Sequence, residues 1–249
     1  MSFRTEYVDL AVSDATAMRA YVAHPATSPH AGLLIGQEAW GVNAHIRDVT
    51  ERFAHEGYLA IAPELYHRTG PGFEGRYDDM PSAMGHARAV KEPQMEADLH
   101  ASYDWLRGNG IPGNRPIAAV GFCMGGRAAF LADLTLPLAC AVSFYGGGIA
   151  PGQSGPGLLG RVDELHAPLL FFWAGLDKHI GIEGPRAVAD ALRAKGKSFV
   201  SVELSDADHG FFCDERASYN PAAAAQAWPL TLAFLRTNTT TQEKARSAD

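Results

Sequence analysis

The sequence predicts an α/β fold: a mostly parallel central sheet with helices on both faces. Three observations predict it. Several short runs are apolar throughout rather than alternating, namely residues 33–35, 58–62, 117–122 and 169–173, and such strands belong inside a sheet covered on both sides. Segments of helical period separate them, so strands and helices alternate along the chain. Near the middle, the apolar run at 117–122 passes through Cys123 and a pair of glycines into an Ala- and Leu-rich segment, 128–136, which reads as a strand turning sharply into a helix.

The elements follow in order. Residues 6–10 and 18–23 alternate around the polar Ser13-Asp14 and predict an antiparallel opening hairpin. Gly32-Leu33-Leu34-Ile35-Gly36 predicts a strand buried on both faces. Asn43 is placed to cap a helix whose Ile46, Val49 and Phe53 share one side, and Gly57 to stop it. Residues 58–62 form the next strand, ended by Pro63. Residues 66–93, with Gly70, Pro71, Gly72 and Gly75, predict a long irregular loop, and loops of that length in compact domains usually serve function.

Residues 95–107 return to helix, with Met95, Leu99, Tyr103 and Leu106 on one side. After the strand and bend at Cys123, residues 138–145 predict a strand closed by Gly146-Gly147-Gly148, and residues 151–160 a Gly/Pro loop. Residues 168–173 predict a strand, 185–194 a helix and 199–204 a strand. Asn220-Pro221 supplies a cap and a first-turn proline for the last helix, running to about Arg236. Residues 1–237 are expected to form a single domain and 238–249 a disordered tail.

Composition narrows the function. The formal net charge of −7, with acids and bases interspersed, argues against a nucleic-acid or anionic-membrane surface. No apolar run reaches membrane-helix length, and the first residues lack an apolar signal core. Cys123, Cys140 and Cys213 have no Cys-x-x-Cys spacing, and no histidine pair has zincin spacing. No metal, cofactor or disulfide framework is expected. A reducing cytoplasm fits a chain of this kind, where a reactive thiol persists. The expected partner is a small molecule, and the expected state a monomer or weak homodimer.

Ligands of such sheets gather at the C-terminal strand ends, and four reactive residues follow strands. Glu38 follows 33–35, Cys123 follows 117–122, Asp177 follows 169–173 and His209 follows 199–204. Gly121-Phe122-Cys123-Met124-Gly125 resembles the nucleophile bend of the α/β-hydrolases with Cys in place of Ser. The order Cys, Asp, His is also that of their triad. A nucleophile on a strained turn needs room two residues to either side, which Gly121 and Gly125 leave. The N-terminus of the following helix favours a thiolate. Each residue has a plainer reading: Cys123 as a buried core thiol, Asp177 as a turn residue, Glu38 as a solvated loop acid and His209 as a surface histidine. Cys140, inside an apolar strand, reads as core. Cys213, four residues past His209, reads either way.

The chain resembles the dienelactone hydrolase (carboxymethylenebutenolidase) family over residues 6–236. The resemblance is carried by Gln37-Glu38-Ala39-Trp40-Gly41-Val42-Asn43, by Ile61-Ala62-Pro63-Glu64-Leu65-Tyr66, by Gly121-Phe122-Cys123-Met124-Gly125-Gly126, and by His209-Gly210-Phe211 with Tyr219-Asn220 and Ala227-Trp228. It implies an α/β-hydrolase fold and a Cys123–His209–Asp177 triad. It also implies a Glu38 that contacts the Cys123 thiol and helps activate it, and an oxyanion hole from the N–H groups of Met124 and Ala39. Relatives hold a substrate carboxylate with arginines, one of them four residues past the catalytic histidine. That place is Cys213 here, so Arg216 or Arg76 is expected to substitute, with Trp40 and Phe211 completing the substrate site. Cysteine favours esters with good leaving groups, because a thiolate departs more readily than an ordinary alkoxide. Two rival readings are a broad carboxylesterase of the same fold and an idle member that only binds a small molecule.

Overall fold

The computed structural model describes residues 3–111, 114–152 and 155–240. In chain order the elements are β1 (Arg4–Ala11), β2 (Ala17–His24), β3 (Ala31–Gly36), α1 (Ala44–His55), β4 (Tyr58–Pro63), α2 (Met80–Ala89), α3 (Glu92–Asn109), β5 (Ile117–Phe122), α4 (Met124–Thr135), β6 (Ala141–Phe144), β7 (Leu169–Ala174), α5 (Glu183–Ala194), β8 (Phe199–Leu204) and α6 (Pro221–Thr239). A 3-10 turn, Leu159–Glu164, lies between β6 and β7.

Among the described residues these strands form one sheet of order β1-β2-β4-β3-β5-β6-β7-β8. The β1–β2 and β2–β4 pairs are antiparallel, and every pair from β4 to β8 is parallel. Alternate residues of each strand face opposite sides. Leu34, Ile61, Ile117 and Ala119 meet α3, α4 and α5 on one face, where Leu99, Phe130 and Val188 lie. Leu33, Ile35, Ala60 and Val120 meet α1 and α6 on the other, where Ile46, Phe53, Ala227 and Leu235 lie. Two apolar faces explain why these strands read as unbroken apolar runs.

The connection after β3 leads to β4 on one side, and the connection after β4 crosses back to β5 on the other. β3 and β5 are therefore the adjacent strands at which the winding reverses, the place where open α/β sheets bind ligands. Glu38 follows β3 and Cys123 follows β5.

Local boundaries follow the expected chemistry. The Asn43 side chain accepts from the Ile46 N–H at 3.3 Å to cap α1. Gly57 leaves that helix at φ 92°, a conformation that suits glycine. Three expectations are corrected. The loop 66–93 is not irregular throughout: it carries α2, capped by Asp79 on the Ser82 N–H at 3.2 Å. Only Ala83 of that helix is buried, so it has no apolar stripe for a periodicity to reveal. The strand at 138–145 is shorter, Ala141–Phe144, because Tyr145 turns away at φ 39°. The last helix continues through Asn238 to Thr239; the rest of the expected tail, 241–249, lies outside the described residues. No described helix is long and apolar enough to cross a membrane.

Candidate active site

The bend after β5 is built from backbone contact. A Cβ on Gly121 would lie 1.7 Å from the Gly125 carbonyl oxygen, and one on Gly125 would lie 2.1 Å from the Gly36 carbonyl oxygen. Only glycine lets the turn close and α4 press onto the end of β3. Cys123, at the tip, has φ 55° and ψ −116°, a strained conformation of the kind found at functional sites. Its own N–H is committed to the Phe144 carbonyl at 3.0 Å. The side chain is partly exposed at the first turn of α4, where the helix dipole favours negative charge.

His209 stands between that thiol and Asp177. Its Nδ1 donates to Asp177 Oδ2 at 2.7 Å. The other Asp177 oxygen accepts the N–H groups of His179 at 2.8 Å and Ile180 at 3.1 Å. Burial alone would raise the Asp177 carboxyl. The hydrogen bond and charge of His209, together with those two N–H groups, hold it below the usual carboxylate range instead. Burial alone would lower His209. The negative charge of Cys123, the Asp177 hydrogen bond, the hydrogen bond to Cys123 and the Asp177 charge outweigh it and raise His209 to about 10. The arrangement holds His209 between the Cys123 sulfur and the Asp177 carboxylate.

Glu38 is fully buried, and its partner is not the Cys123 thiol. Its Oε1 takes the Arg216 Nη1–H at 3.0 Å, and the Tyr77 hydroxyl lies 3.5 Å from Oε2. Arg216 lies over the Trp40 ring at 4.8 Å, so Trp40 is the floor on which the pair rests. Of the two candidate arginines, Arg216 therefore reaches the site. Arg76 does not: its side chain is 80% exposed and paired with Asp78 at 2.7 Å. Phe211 is also displaced from its expected role. It is fully buried against Phe144 and Tyr145 and shapes the site from behind.

Among the described residues, the N–H groups of Met124 and Ala39 make no hydrogen bond to the protein. Tyr66 ties their two segments together, donating to the Ala39 carbonyl at 3.0 Å with its hydroxyl 3.7 Å from Met124 Sδ. Gln37 braces the same loop by accepting the Leu65 N–H at 3.0 Å. The sequence singled out neither Tyr66 nor Tyr77 as a site residue. Tyr66 sits in one of the segments that carry the family resemblance, whereas Tyr77 lies in the loop read as irregular and had no local signal.

Cys140 is core, as expected, and burial pushes its thiol up. Cys213 is buried beside the site and donates to the Tyr77 hydroxyl at 3.1 Å. Burial, and then the Glu38 charge, raise it to about 12. A cleft of about 430 Å³ opens over Tyr77, Asn43, Glu74, Arg76, Asp78 and Glu215.

Comparison with known proteins identifies the family. The profile of the Dienelactone hydrolase family matches residues 18–239. A Synechocystis sp. protein named "Putative carboxymethylenebutenolidase" is 38% identical over 218 residues, covering 84% of this chain and 87% of its own. An Escherichia coli K12 protein of the same name is 36% identical over 225 residues, covering 88% and 82%. The crystal structure of a "Putative Dienelactone Hydrolase" from Klebsiella pneumoniae superposes with a TM-score of 0.85 at 32% identity, covering 94% of this chain and 98% of that one. With a matching profile across most of its length and a parallel sheet that carries Cys123, Asp177 and His209 at its strand ends, the chain belongs to the dienelactone hydrolase family.

Proposed function

We propose that this protein hydrolyses activated esters and lactones through a thioester on Cys123. The observation that carries the reading is His209, held at 2.7 Å by Asp177 on one side and raised to about 10 by the Cys123 charge on the other. The thiolate attacks the substrate carbonyl carbon while the Met124 and Ala39 N–H groups receive the developing oxyanion. The imidazolium then gives its proton to the departing alkoxide or enolate. Acylation removes the thiolate charge, which was the largest influence raising His209. The neutral imidazole that remains takes a proton from water as it attacks the thioester, the carboxylic acid departs, and the sulfur leaves as thiolate to restore its pair with the imidazolium. Asp177 fixes the ring tautomer throughout. Arg216 supplies a cation for an acidic substrate, which would take it from Glu38.

The test is a panel of alkyl, aryl and enol esters beside five-membered enol lactones, with mass spectrometry of the quenched enzyme. Fastest turnover on enol lactones, with an acyl mass on the Cys123 peptide, is the expected result. Equal turnover across alkyl and aryl esters would favour the broad carboxylesterase, and absence of any turnover with unlabelled Cys123 would favour the idle binding member.

Two further results are expected. His209 should titrate near 10 by imidazole nuclear magnetic resonance, and well below that in Cys123→Ala, because its largest raising influence is gone. Its folded value lies above the ordinary 6.5. The stability it contributes is therefore fully present below about pH 6.5 and is lost as pH rises through about 10. Titration near 6.5 in both proteins would refute the thiolate–imidazolium pair. Chelators should not lower turnover, since a thiolate and backbone N–H groups supply the nucleophile and the oxyanion site without a Lewis acid. Loss of activity in chelator, restored by a divalent ion, would overturn that.

A further inference from the structure

Three side chains remote in sequence meet: Glu38 after β3, His45 in the first turn of α1, and Cys213 after His209. A carboxylate oxygen, a ring nitrogen and Sγ from these residues all lie within 4.8 Å of one another, and all three residues are buried. His45 is the telling member. It is 2% exposed, and neither ring nitrogen has a hydrogen-bond partner. Asp214 Oδ1 is 3.9 Å from Nδ1, beyond hydrogen-bond reach. Its aromatic neighbours Phe122 and Phe212 offer ring contacts only. A buried polar atom left unpaired costs about 1–3 kcal/mol, so a ring with two such atoms, aimed at a thiol and a carboxylate, calls for a ligand.

The donor set names that ligand's class. An imidazole nitrogen, a thiolate and a carboxylate oxygen suit a borderline-soft divalent cation, above all zinc, and not magnesium or calcium. Zinc bonds of about 2.0–2.3 Å place ligand atoms about 3.3–3.8 Å apart, so the three side chains need close by only about 1 Å. Tyr77 bridges two of them, taking the Cys213 hydrogen bond at 3.1 Å and lying 3.5 Å from Glu38. It also lines a cleft with Glu74, Arg76, Asp78 and Glu215.

We infer that Glu38, His45 and Cys213 form an inhibitory zinc site: the ion takes Glu38, and Arg216 loses the carboxylate that holds it over Trp40, in place to receive an acidic substrate. On binding, the Cys213 S–H bond breaks, its proton leaves to solvent, and a zinc–sulfur bond forms; nothing is oxidised or reduced. The inhibition rests on the proposed hydrolysis and the place of Glu38 in that site. The binding does not.

The two are therefore read separately. Metal-stripped Cys123→Ser protein, which lacks the competing thiol, is titrated with cobalt(II), and zinc is added to displace it. Expected is one equivalent of cobalt with a thiolate charge-transfer band, absent when Cys213→Ser is added. His45→Ala should weaken binding by about 100-fold, since even an outer-shell partner is worth 10- to 100-fold in metal affinity. In otherwise unaltered protein, zinc should lower lactone turnover and chelator restore it, while Cys213→Ser keeps its basal turnover and loses this inhibition. A cobalt band absent from Cys123→Ser protein, or one that persists with Cys213→Ser, would overturn the site: the first leaves water as the partner of His45, and the second places the ion elsewhere. Should His45→Ala fail to fold by circular dichroism, the Cys213→Ser comparison decides between the two. Binding without inhibition would keep the zinc site and refute its regulatory role.

Discussion

Cys123→Ala is expected to lower turnover by about a thousandfold or more, His209→Ala by a similar factor, and the double variant by little beyond either. Members of a nucleophile–base pair act as a unit, so removing one forfeits most of what both supply. Here the unit is visible in the electrostatics, because the charge of Cys123 is the largest influence raising His209. Neither side chain fills the core: Cys123 is partly exposed, and the His209 side chain retains 11% exposure at the sheet edge. Folding is therefore expected to survive, and circular dichroism with thermal melting should match the parent closely. Asp177 keeps its two N–H partners when His209 is removed, which limits the cost of leaving its charge behind. Near-parent turnover in Cys123→Ala would sink the nucleophile assignment. Losses that multiply in the double variant would show the two side chains acting independently.

Gly121→Ala is expected to remove both activity and a large part of the stability. The added methyl would meet the Gly125 carbonyl oxygen at 1.7 Å and the Gly125 carbonyl carbon at 2.2 Å. Both are backbone atoms, so no rotamer change relieves the overlap. Relief requires α4 to move off β5, and α4 is held on its other side by the Gly125–Gly36 approach. Overpacking a well-filled interior costs about 1–3 kcal/mol; with rigid backbone on both sides, the upper end is expected. At about 3 kcal/mol, a chain of this size loses about 6–12 °C in melting temperature. The same movement draws Cys123 away from His209, so turnover should fall even at temperatures where the variant is folded. Gly152→Ala is the matched control, because a Cβ there meets nothing within 4 Å. A Gly121→Ala protein that melts and turns over like this control would mean that the bend does not depend on backbone approach.

Much of this was legible in the sequence because it is written locally. A strand buried on both faces must be apolar at successive positions, so β3, β4, β5 and β7 announce themselves. Asn43, Gly57 and Asn220-Pro221 act on backbone groups a few residues away, so helix ends are local too. Gly121 and Gly125 mark the bend because the close approach they permit is made by the same short segment. The order of the strands placed Cys123, Asp177 and His209 at one edge, since residues after parallel strands must emerge at the same end of the sheet. What had no period was missed. α2 has a single buried residue, and without an apolar stripe a helix is silent.

Only the tertiary structure decided who partners whom. The charge on Glu38 could be read from the chain, but its pairing with Arg216, far off in sequence, required the loop after β3 and the segment after β8 to pack across Trp40. The choice of Arg216 over Arg76 had the same origin, since both are equally cationic and burial alone separates them. Glu38, His45 and Cys213 carry no motif, and no spacing links them, because their meeting is made by three elements converging. The sequence by itself determined the fold and the strand-end chemistry, which rest on side chains acting over a turn or a strand. Burial and pairing in space decided which charges are compensated, which ring is left without partners and which cation faces the site.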